Sequence, residues 1–359
     1  MPAPGSHLVH VGYGLADQPN GLTVDGIPYA SQIAYGAGGQ LKSLTVGWVQ
    51  ISPITETYDY DPATGRLHDQ QLQRAGAPLL DLVYNELRPG TSSGRTGRVT
   101  QVTDGLDGLY SQTYFYDGLG HLKQAAGGNS PSRLWTQTYT YDQYGNRTGV
   151  VAAGTTESGA PIPPDGLSTP SDPATNHITT SGFTYDAAGN LIRGQRADGI
   201  WQRYQYDAAG RLVNVLSDDG TSVEVSTYGP DRRRLVSQTG GPSPQRTYYV
   251  WDGEKVISEY RETAGAPTAP QWATLYVYLG SRLLSTWTAN GTSAVVQFDH
   301  PDRLGTRLIT DAAYATVSKQ TVLPYGAAFN GESTSTNNPV FTSYDRSAAT
   351  GLDYAVNRH

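Results

Sequence analysis

The sequence predicts an all-β protein built as an array of β-hairpins. Three observations lead to this fold class: a short Tyr-Asp phrase recurs along the chain, Tyr outnumbers Phe by 25 to 5, and 42 Gly and 22 Pro accompany only 16% charged residues. Tyrosine suits strands that pack on one side and stay wet at the hydroxyl, whereas Gly and Pro suit turns. We expect the hairpins to form a strongly curved or spiralling sheet, a partial or small barrel-like shell.

The recurring phrase is clearest in residues 204–212. Tyr204 and Tyr206 point to the same face of a strand because they lie two residues apart. Asp207 ends the strand and can accept hydrogen bonds from backbone N–H groups two or three residues later, while Gly210 can take a positive φ and reverse the chain. The predicted turn positions in the five clear copies are Tyr60, Asp61 and Gly65; Tyr116, Asp117 and Gly120; Tyr141, Asp142 and Gly145; Tyr185, Asp186 and Gly189; and Tyr206, Asp207 and Gly210.

The spacing of the phrase predicts the organisation of the chain. The second Tyr of each phrase, or its degenerate equivalent, falls at positions 35, 60, 84, 116, 141, 185, 206, 228, 252 and 278. Most intervals are 21 to 26 residues long, which accommodates two strands and two turns. We predict an irregular lead-in with one or two strands over 1–30, the hairpin array over 31–289, and a C-terminal segment over 290–359 that continues the array.

The longest interval contains residues 152–176, which are rich in Gly, Pro, Ser and Thr. This stretch is either one lost unit of the array or a long exposed loop. We favour the exposed loop because clusters of these residues are typical of connections.

The repeated aspartates admit an enzymatic alternative, because glycoside hydrolysis uses two carboxylates. Catalysis requires a unique pair in a cleft, whereas these carboxylates recur at every hairpin. We therefore interpret them as turn residues and predict no catalytic residues. The chain has no Cys, its 7 His lack metal-binding spacing, and no nucleotide fingerprint is present, so we expect neither a metal nor a cofactor.

Charge and hydropathy exclude other classes. A net charge of −7 argues against a nucleic-acid partner, and no stretch approaches the roughly 18 apolar residues of a membrane span. The N-terminus lacks the basic start and apolar run of a signal peptide. We expect a secreted or cell-surface protein that uses a specialised export system.

The phrase Tyr-Asp-x-x-Gly-Arg/Asn-Leu resembles the YD repeat of Rhs proteins, Tc-toxin C subunits and teneurins. Residues 298–311 resemble the "H-x-D-H-L-G-(S/T)-x-R" segment of the Rhs repeat-associated core, with Arg303 where His is usual. Residues 324–326 resemble its "P-(Y/F)-G", and residues 341–358 resemble its "F-T-G-(Y/K)-x-x-D-x-x-T-G-L-D-Y-x-x-A-R-Y". The matching core positions are His300, Asp302, Gly305, Arg307, Gly351, Leu352, Asp353 and Tyr354.

This resemblance implies a sheet of hairpins that spirals into a hollow shell, which in large members encloses a toxic C-terminal polypeptide. In those members a plug of the form "Y-D-P-x-x-G-R-F-x-x-x-D-P" carries aspartates that support self-cleavage. The present sequence reaches His359 just before that segment, so we expect neither the self-cleavage aspartates nor a toxin. Ten units are too few for the cocoon of the long relatives, so exposed sheet edges would need covering.

The leading hypothesis is therefore a bacterial Rhs-type shell segment whose partner is a toxin polypeptide or another shell subunit. The alternative is an extracellular module that binds a glycan or a protein through its Tyr and Trp side chains. A carbohydrate-active enzyme is the least favoured hypothesis.

Overall fold

A computed structural model describes residues 7–14, 16–48, 52–87, 94, 96–128, 134–156, 158–163, 169–196, 198–263, 269–327, 329 and 345–354. The motif positions 341–344 and 355–358 lie outside these ranges. Within them the chain forms two large antiparallel sheets and one two-stranded hairpin. A 3₁₀ turn, Gly108–Tyr110, is the one helical element of the described residues.

Both large sheets run in chain order, each strand pairing with the next. The first sheet consists of β1 (Val9–Tyr13), β2 (Pro19–Val24), β3 (Ile27–Tyr35), β4 (Leu41–Val46), β5 (Ile54–Tyr60), β6 (Leu67–Arg74), β7 (Ala77–Asn85), β8 (Gln101–Asp104), β9 (Gln112–Tyr116), β10 (Leu122–Gly127), β11 (Trp135–Tyr141) and β12 (Arg147–Ala153). The second consists of β13 (Thr184–Tyr185), β14 (Leu191–Gln195), β15 (Trp201–Tyr206), β16 (Leu212–Ser217), β17 (Ser222–Tyr228), β18 (Arg234–Thr239), β19 (Gln245–Asp252), β20 (Lys255–Thr263), β21 (Gln271–Leu279), β22 (Arg282–Asn290), β23 (Ser293–Pro301), β24 (Thr306–Asp311) and β25 (Thr316–Lys319). The separate hairpin pairs β26 (Asp345–Arg346) with β27 (Asp353–Tyr354).

The predicted all-β array of hairpins is confirmed. The marker positions coincide with strand ends: β5 ends at Tyr60, β9 at Tyr116, β15 at Tyr206 and β17 at Tyr228. Neither sheet closes on itself among the described residues, because the first and last strands of each do not pair with each other. The hairpin period read from the sequence is thus the period of the fold.

Alternating burial along the strands creates two cores. In β7, for example, Leu80, Leu82 and Tyr84 are buried while the residues between them are less so, as expected for a strand with one covered face. The first core combines side chains of β2 to β7 with side chains of β21 to β24, including Trp287 and Phe298. The start of the first sheet therefore packs on the end of the second.

The second core lies on β9 to β12 and is completed by buried side chains from outside the sheets. These are Leu109 of the 3₁₀ turn, Ile162, Leu323 and Phe329, which pack with Trp135 and Tyr139 of the first sheet. The prediction that residues 152–176 form an exposed loop is wrong at Ile162, which is only 5% exposed. The apolar side chain supplies a physical reason, since it fills a core that four short strands leave uncovered.

Residues 171–178 fit the alternative of a degenerate unit. The N–H of Asp172 donates to the carbonyl of His177, and the Asp172 carboxylate accepts the N–H groups of Ala174 and Thr175, each at 2.9 Å. Asn176 takes a φ of 59°, close to the 68° of Gly65 in the corresponding turn. A turn of the array therefore survives here without the two marker tyrosines.

The two ends of the array also differ in detail from a simple repeat. We expected residues 1–30 to be an irregular lead-in with one or two strands. They contain β1, β2 and the start of β3, which pair in order as part of the first sheet. At the other end, β23, β24 and β25 continue the second sheet.

Candidate functional site

Each predicted turn aspartate bonds to the backbone of its own turn. Asp207 Oδ1 accepts the N–H groups of Ala209 at 2.9 Å and of Arg211 at 3.0 Å. Gly210, with a φ of 72°, then allows the chain to return. The equivalent bonds are made by Asp61, Asp117, Asp142 and Asp186, and the turn glycines Gly65, Gly120, Gly145 and Gly189 also have positive φ.

These bonds give the aspartates the wrong electrostatics for acid catalysis. The N–H of Arg211 and its guanidinium hold the pKa of Asp207 below its usual value, and the side-chain amide of Asn190 does the same for Asp186. The general acid of a glycosidase needs a raised pKa instead. The turn carboxylates therefore support the structural interpretation.

Replacing Gly210 by Ala should lower the free energy of unfolding by about 1 kcal/mol through backbone strain alone, because no heavy atom lies near the added Cβ. Gly118 occupies another copy of the turn, does not have a positive φ and also has open space around a Cβ. Urea unfolding of both variants measures the effect. The matched change Gly118→Ala should leave the free energy of unfolding unchanged or raise it slightly. Equal effects at the two positions would contradict the proposed role of positive φ.

Most marker tyrosines fasten their unit to the one before it through the hydroxyl, whereas the Tyr185 hydroxyl accepts the N–H of Ile178. Tyr206 donates its hydroxyl proton to the carbonyl of Leu191 at 2.9 Å, and burial raises the pKa of Tyr206 to about 12, which keeps the donor protonated. Trp251, which directly precedes the degenerate marker position 252, makes a similar bond, since its indole N–H donates to the carbonyl of Arg234 at 2.9 Å. The same bond joins Tyr35 to Pro19, Tyr60 to Leu41, Tyr116 to Val99, Tyr141 to Leu122 and Tyr228 to Leu212.

A second repeated element lies on the buried face of the strands, and sequence reasoning missed it. Five residues before the turn Asp stands a Gln or Glu, and the hydroxyl of the Tyr two residues later bonds to its side-chain oxygen. We call this pair a rung. The rungs are Glu56 with Tyr58, Gln112 with Tyr114, Gln137 with Tyr139, and Gln202 with Tyr204. The period of these Gln and Glu residues, in the pattern Gln/Glu-x-Tyr-x-Tyr-Asp, is the sequence signal that could have revealed them.

The Glu56 rung holds a buried cluster of charges between the two sheets. Arg282 of β22 bonds both Glu56 oxygens, at 2.8 and 2.6 Å, and His300 Nδ1 of β23 lies 2.6 Å from Oε1. Burial alone would raise the pKa of Glu56, but Arg282, His300 and Tyr58 together lower it to about 2. The cluster is therefore an ion pair that joins the sheets, with no reacting group exposed to a substrate, because Glu56 and His300 are fully buried.

The predicted core-motif residues fasten the C-terminal part of the chain to the array. His300 also contacts Thr310 Oγ1 at 3.1 Å, and Asp302 closes its turn by accepting the N–H groups of Leu304 and Gly305. Arg307 Nη1 donates to the carbonyl of Gln320 and to Thr321 Oγ1, each at 2.7 Å. These bonds fix the start of the segment that crosses the second core.

The remaining core-motif residues seat the β26–β27 hairpin on the second sheet. Asp353 accepts two hydrogen bonds from Arg346, at 2.7 and 2.8 Å, which closes the hairpin. Tyr354 accepts the N–H of Arg234 at 2.9 Å, and the Arg234 guanidinium lies 4.4 Å from the centre of the Tyr354 ring. At the hairpin turn Gly351 has a φ of 71°, and Leu352 accepts the N–H of Ser347. The motif thus anchors this hairpin to the second sheet.

The alternative sites find less support. All 6 Trp residues are buried or half-buried, so they form no exposed platform of the kind that stacks on sugars. Across the described ranges, no three His, Asp or Glu side chains gather as metal ligands. The same ranges contain no helix long and apolar enough to span a membrane.

Comparison with known proteins agrees with this architecture. Residues 185–222 match the RHS Repeat family model. Toxin subunit YenC2 of Yersinia entomophaga is 26% identical over 184 residues, which cover 48% of this chain and 19% of that protein. In the crystal structure of TcdB2-TccC3-TEV, a chain superposes on 97% of this chain with a TM-score of 0.68 and 19% identity. A Photorhabdus luminescens Tc holotoxin pore gives the same TM-score and coverage at 20% identity.

This chain spans only about a fifth of the length of these relatives, 19% of YenC2 and 18% of each solved chain. The resemblance drawn from the Tyr-Asp phrases is nevertheless confirmed by the repeat, the sequence relative and the fold. The protein carries an RHS repeat, is similar in sequence to a Tc-toxin subunit, and has a fold similar to that of the Tc-toxin shell.

Proposed function

We propose that this chain is a structural shell segment that encloses or presents a polypeptide cargo and catalyses no reaction itself. The observation that carries the proposal is that the array already holds polypeptide on its buried faces. Leu323 and Phe329 cover β9 to β12, and the β26–β27 hairpin sits on the second sheet. Because YenC2 is a toxin subunit, we expect the cargo to be a toxin.

The open edge of the first sheet supports a second shell subunit, or another copy of this chain, as a partner. β1 pairs on one side with β2 and has no neighbour on the other among the described residues. Leu8 is 72% exposed and Tyr13 59% exposed, and the strand carries neither Lys nor Pro, the usual residues that protect an edge. Such an edge suits pairing with a further strand.

A fusion experiment tests the enclosure. In the test protein, an unrelated disordered polypeptide is attached after His359, C-terminal to the β26–β27 hairpin. In the control, the same polypeptide is attached before Met1. We expect a protease to cut the C-terminal fusion at least about tenfold more slowly, because burial blocks access to the protease. Equal cleavage of the two fusions would refute the enclosure.

A further inference from the structure

Four glutamines on the buried faces bind main-chain carbonyl groups of segments outside their own hairpins. Gln112 Nε2 donates to the carbonyl of Val322 at 3.0 Å, and Gln202 Nε2 donates to that of Thr350 at 3.2 Å. The other two pairs are Gln137 with Pro163 at 2.9 Å and Gln70, which lies outside the rungs, with Pro301 at 2.8 Å. The acceptors are one Val, one Thr and two Pro residues, so no single side chain is common to all of them, and the prolines have no N–H to offer.

The carbonyl that each glutamine meets fixes the orientation of its side-chain amide. A peptide carbonyl can only accept, so the glutamine must present its NH₂ group to it. The side-chain oxygen then accepts the tyrosine hydroxyl, as in Tyr114 to Gln112 at 2.8 Å and Tyr139 to Gln137 at 2.6 Å. A rung with Gln therefore selects a hydrogen-bond acceptor.

Glu56 acts as a natural control for this selection. It occupies the same position in the repeat, but a carboxylate has no proton to donate. Its partners are accordingly the guanidinium of Arg282 and a ring nitrogen of His300, and no carbonyl. Changing the amide to a carboxylate changes the kind of partner that the rung holds.

We propose that the glutamine rungs form a binding site for the main chain of extended polypeptide, which they hold by its carbonyl groups regardless of its side chains. This inference rests on the proposed shell function and deepens it by naming what the inner wall recognises in its cargo. The segments of this chain whose carbonyl groups bond to the glutamines are the occupants that reveal the site. A wall of this kind suits a shell whose cargo differs in sequence from one protein to the next.

The full-length Gln202→Glu variant tests the rung directly. A carboxylate facing the Thr350 carbonyl loses the hydrogen bond and adds repulsion, so we expect amide hydrogen exchange in residues 345–354 to become about tenfold faster. The control is Gln205→Glu on the same strand, where the side chain is exposed, and it should leave this exchange unchanged. Gln202→Met, which removes the donor without adding charge, should give a smaller increase.

The pattern of exchange separates a clamp from a general structural role. Faster exchange confined to 345–354, with β15 and β16 unchanged, supports the clamp. Equal acceleration throughout the second sheet, or no difference between Gln202→Glu and Gln205→Glu, would overturn it. If Gln202→Glu does not fold, the same comparison between Gln202→Met and Gln205→Met decides.

Two experiments test whether the glutamine rungs bind polypeptide regardless of its side chains. One uses the Gln112 rung and the other uses fused cargo. Val322→Thr keeps the carbonyl and should leave exchange in residues 320–327 unchanged, whereas Gln112→Glu should speed it several-fold. Two C-terminal fusions of unrelated composition should be protected from protease to within about twofold of each other. Protection of only one of them would overturn the inference while leaving enclosure in place, and protection of neither, with the exchange effects intact, would refute enclosure alone.

Discussion

Replacing Gly47 by Ala should lower the free energy of unfolding by about 2–5 kcal/mol, as backbone strain and overpacking combine. Gly47 follows β4 with a φ of 97°, and an added Cβ would lie 2.5 Å from Cζ of Tyr314. The Tyr314 ring is 1% exposed, packs 5.5 Å from the ring of Phe298, and its hydroxyl accepts the N–H of Trp48. It has no free space into which to retreat.

Thermal or urea unfolding measures the effect, and Gly26→Ala is the matched control. Gly26 has a φ of 79° but nothing within 4 Å of an added Cβ, so its substitution reports backbone strain without the collision. We expect Gly26→Ala to cost only about 1–2 kcal/mol. Similar losses of unfolding free energy for the two variants would show that Tyr314 moves away from the added Cβ without a measurable loss of stability.

Tyr314 also shows why part of the fold escapes prediction. It occupies the glycine position of a turn in which Asp311 accepts the N–H groups of Ala313 and Ala315, at 2.8 and 2.9 Å. Its φ of 62° is unusual for a residue with a side chain. The turn hydrogen bonds are the same as in the repeat. A sequence pattern that requires Gly at this position, however, cannot recognise this copy of the turn.

The parts of the fold that sequence does predict are local. A turn such as Tyr206 to Gly210 encodes its own strand end, aspartate bonds and reversal within a few residues, so the pattern suffices. The unit at 171–178 is misread because proline and glycine mark turns and loops alike. Its Asp172 and Asn176 keep the turn after the tyrosines are lost.

The candidate site depends instead on contacts between distant residues. Gln202 bonds to Thr350, and Gln112 bonds to Val322, across 148 and 210 residues. The sequence pattern places each glutamine on the same face as its tyrosine, but no local rule states which carbonyl will lie opposite. The same holds for Glu56, whose role follows only when β22 and β23 pack against β5.

Replacing Glu56 by Gln should lower the free energy of unfolding by about 3–5 kcal/mol, because Arg282 would remain buried without its counter-charge and His300 would lose its carboxylate partner. The amide would also present its NH₂ group to a guanidinium. Asp198→Asn is a suitable control, since Asp198 pairs with Arg196 at 2.7 Å but its side chain is 47% exposed. An exposed pair of this kind contributes about 0–1 kcal/mol. A loss at Glu56 no larger than at Asp198 would contradict the proposed lock between the sheets.

The pH dependence of stability provides an independent test of the same cluster. The pKa of Glu56 is about 2 in the folded protein, against 4.5 for an unperturbed glutamate. A lowered pKa means that the unfolded chain binds the proton more tightly, so the contribution of Glu56 is present above pH 4.5 and is lost as the pH falls toward 2. Turn aspartates with lowered pKa, such as Asp186 and Asp207, lose stability in acid too, and they do so equally in the wild type and in Glu56→Gln. The difference in unfolding free energy between these two proteins should therefore shrink on acidification through this window. A difference that stays constant down to pH 2 would show that folding does not lower the pKa of Glu56.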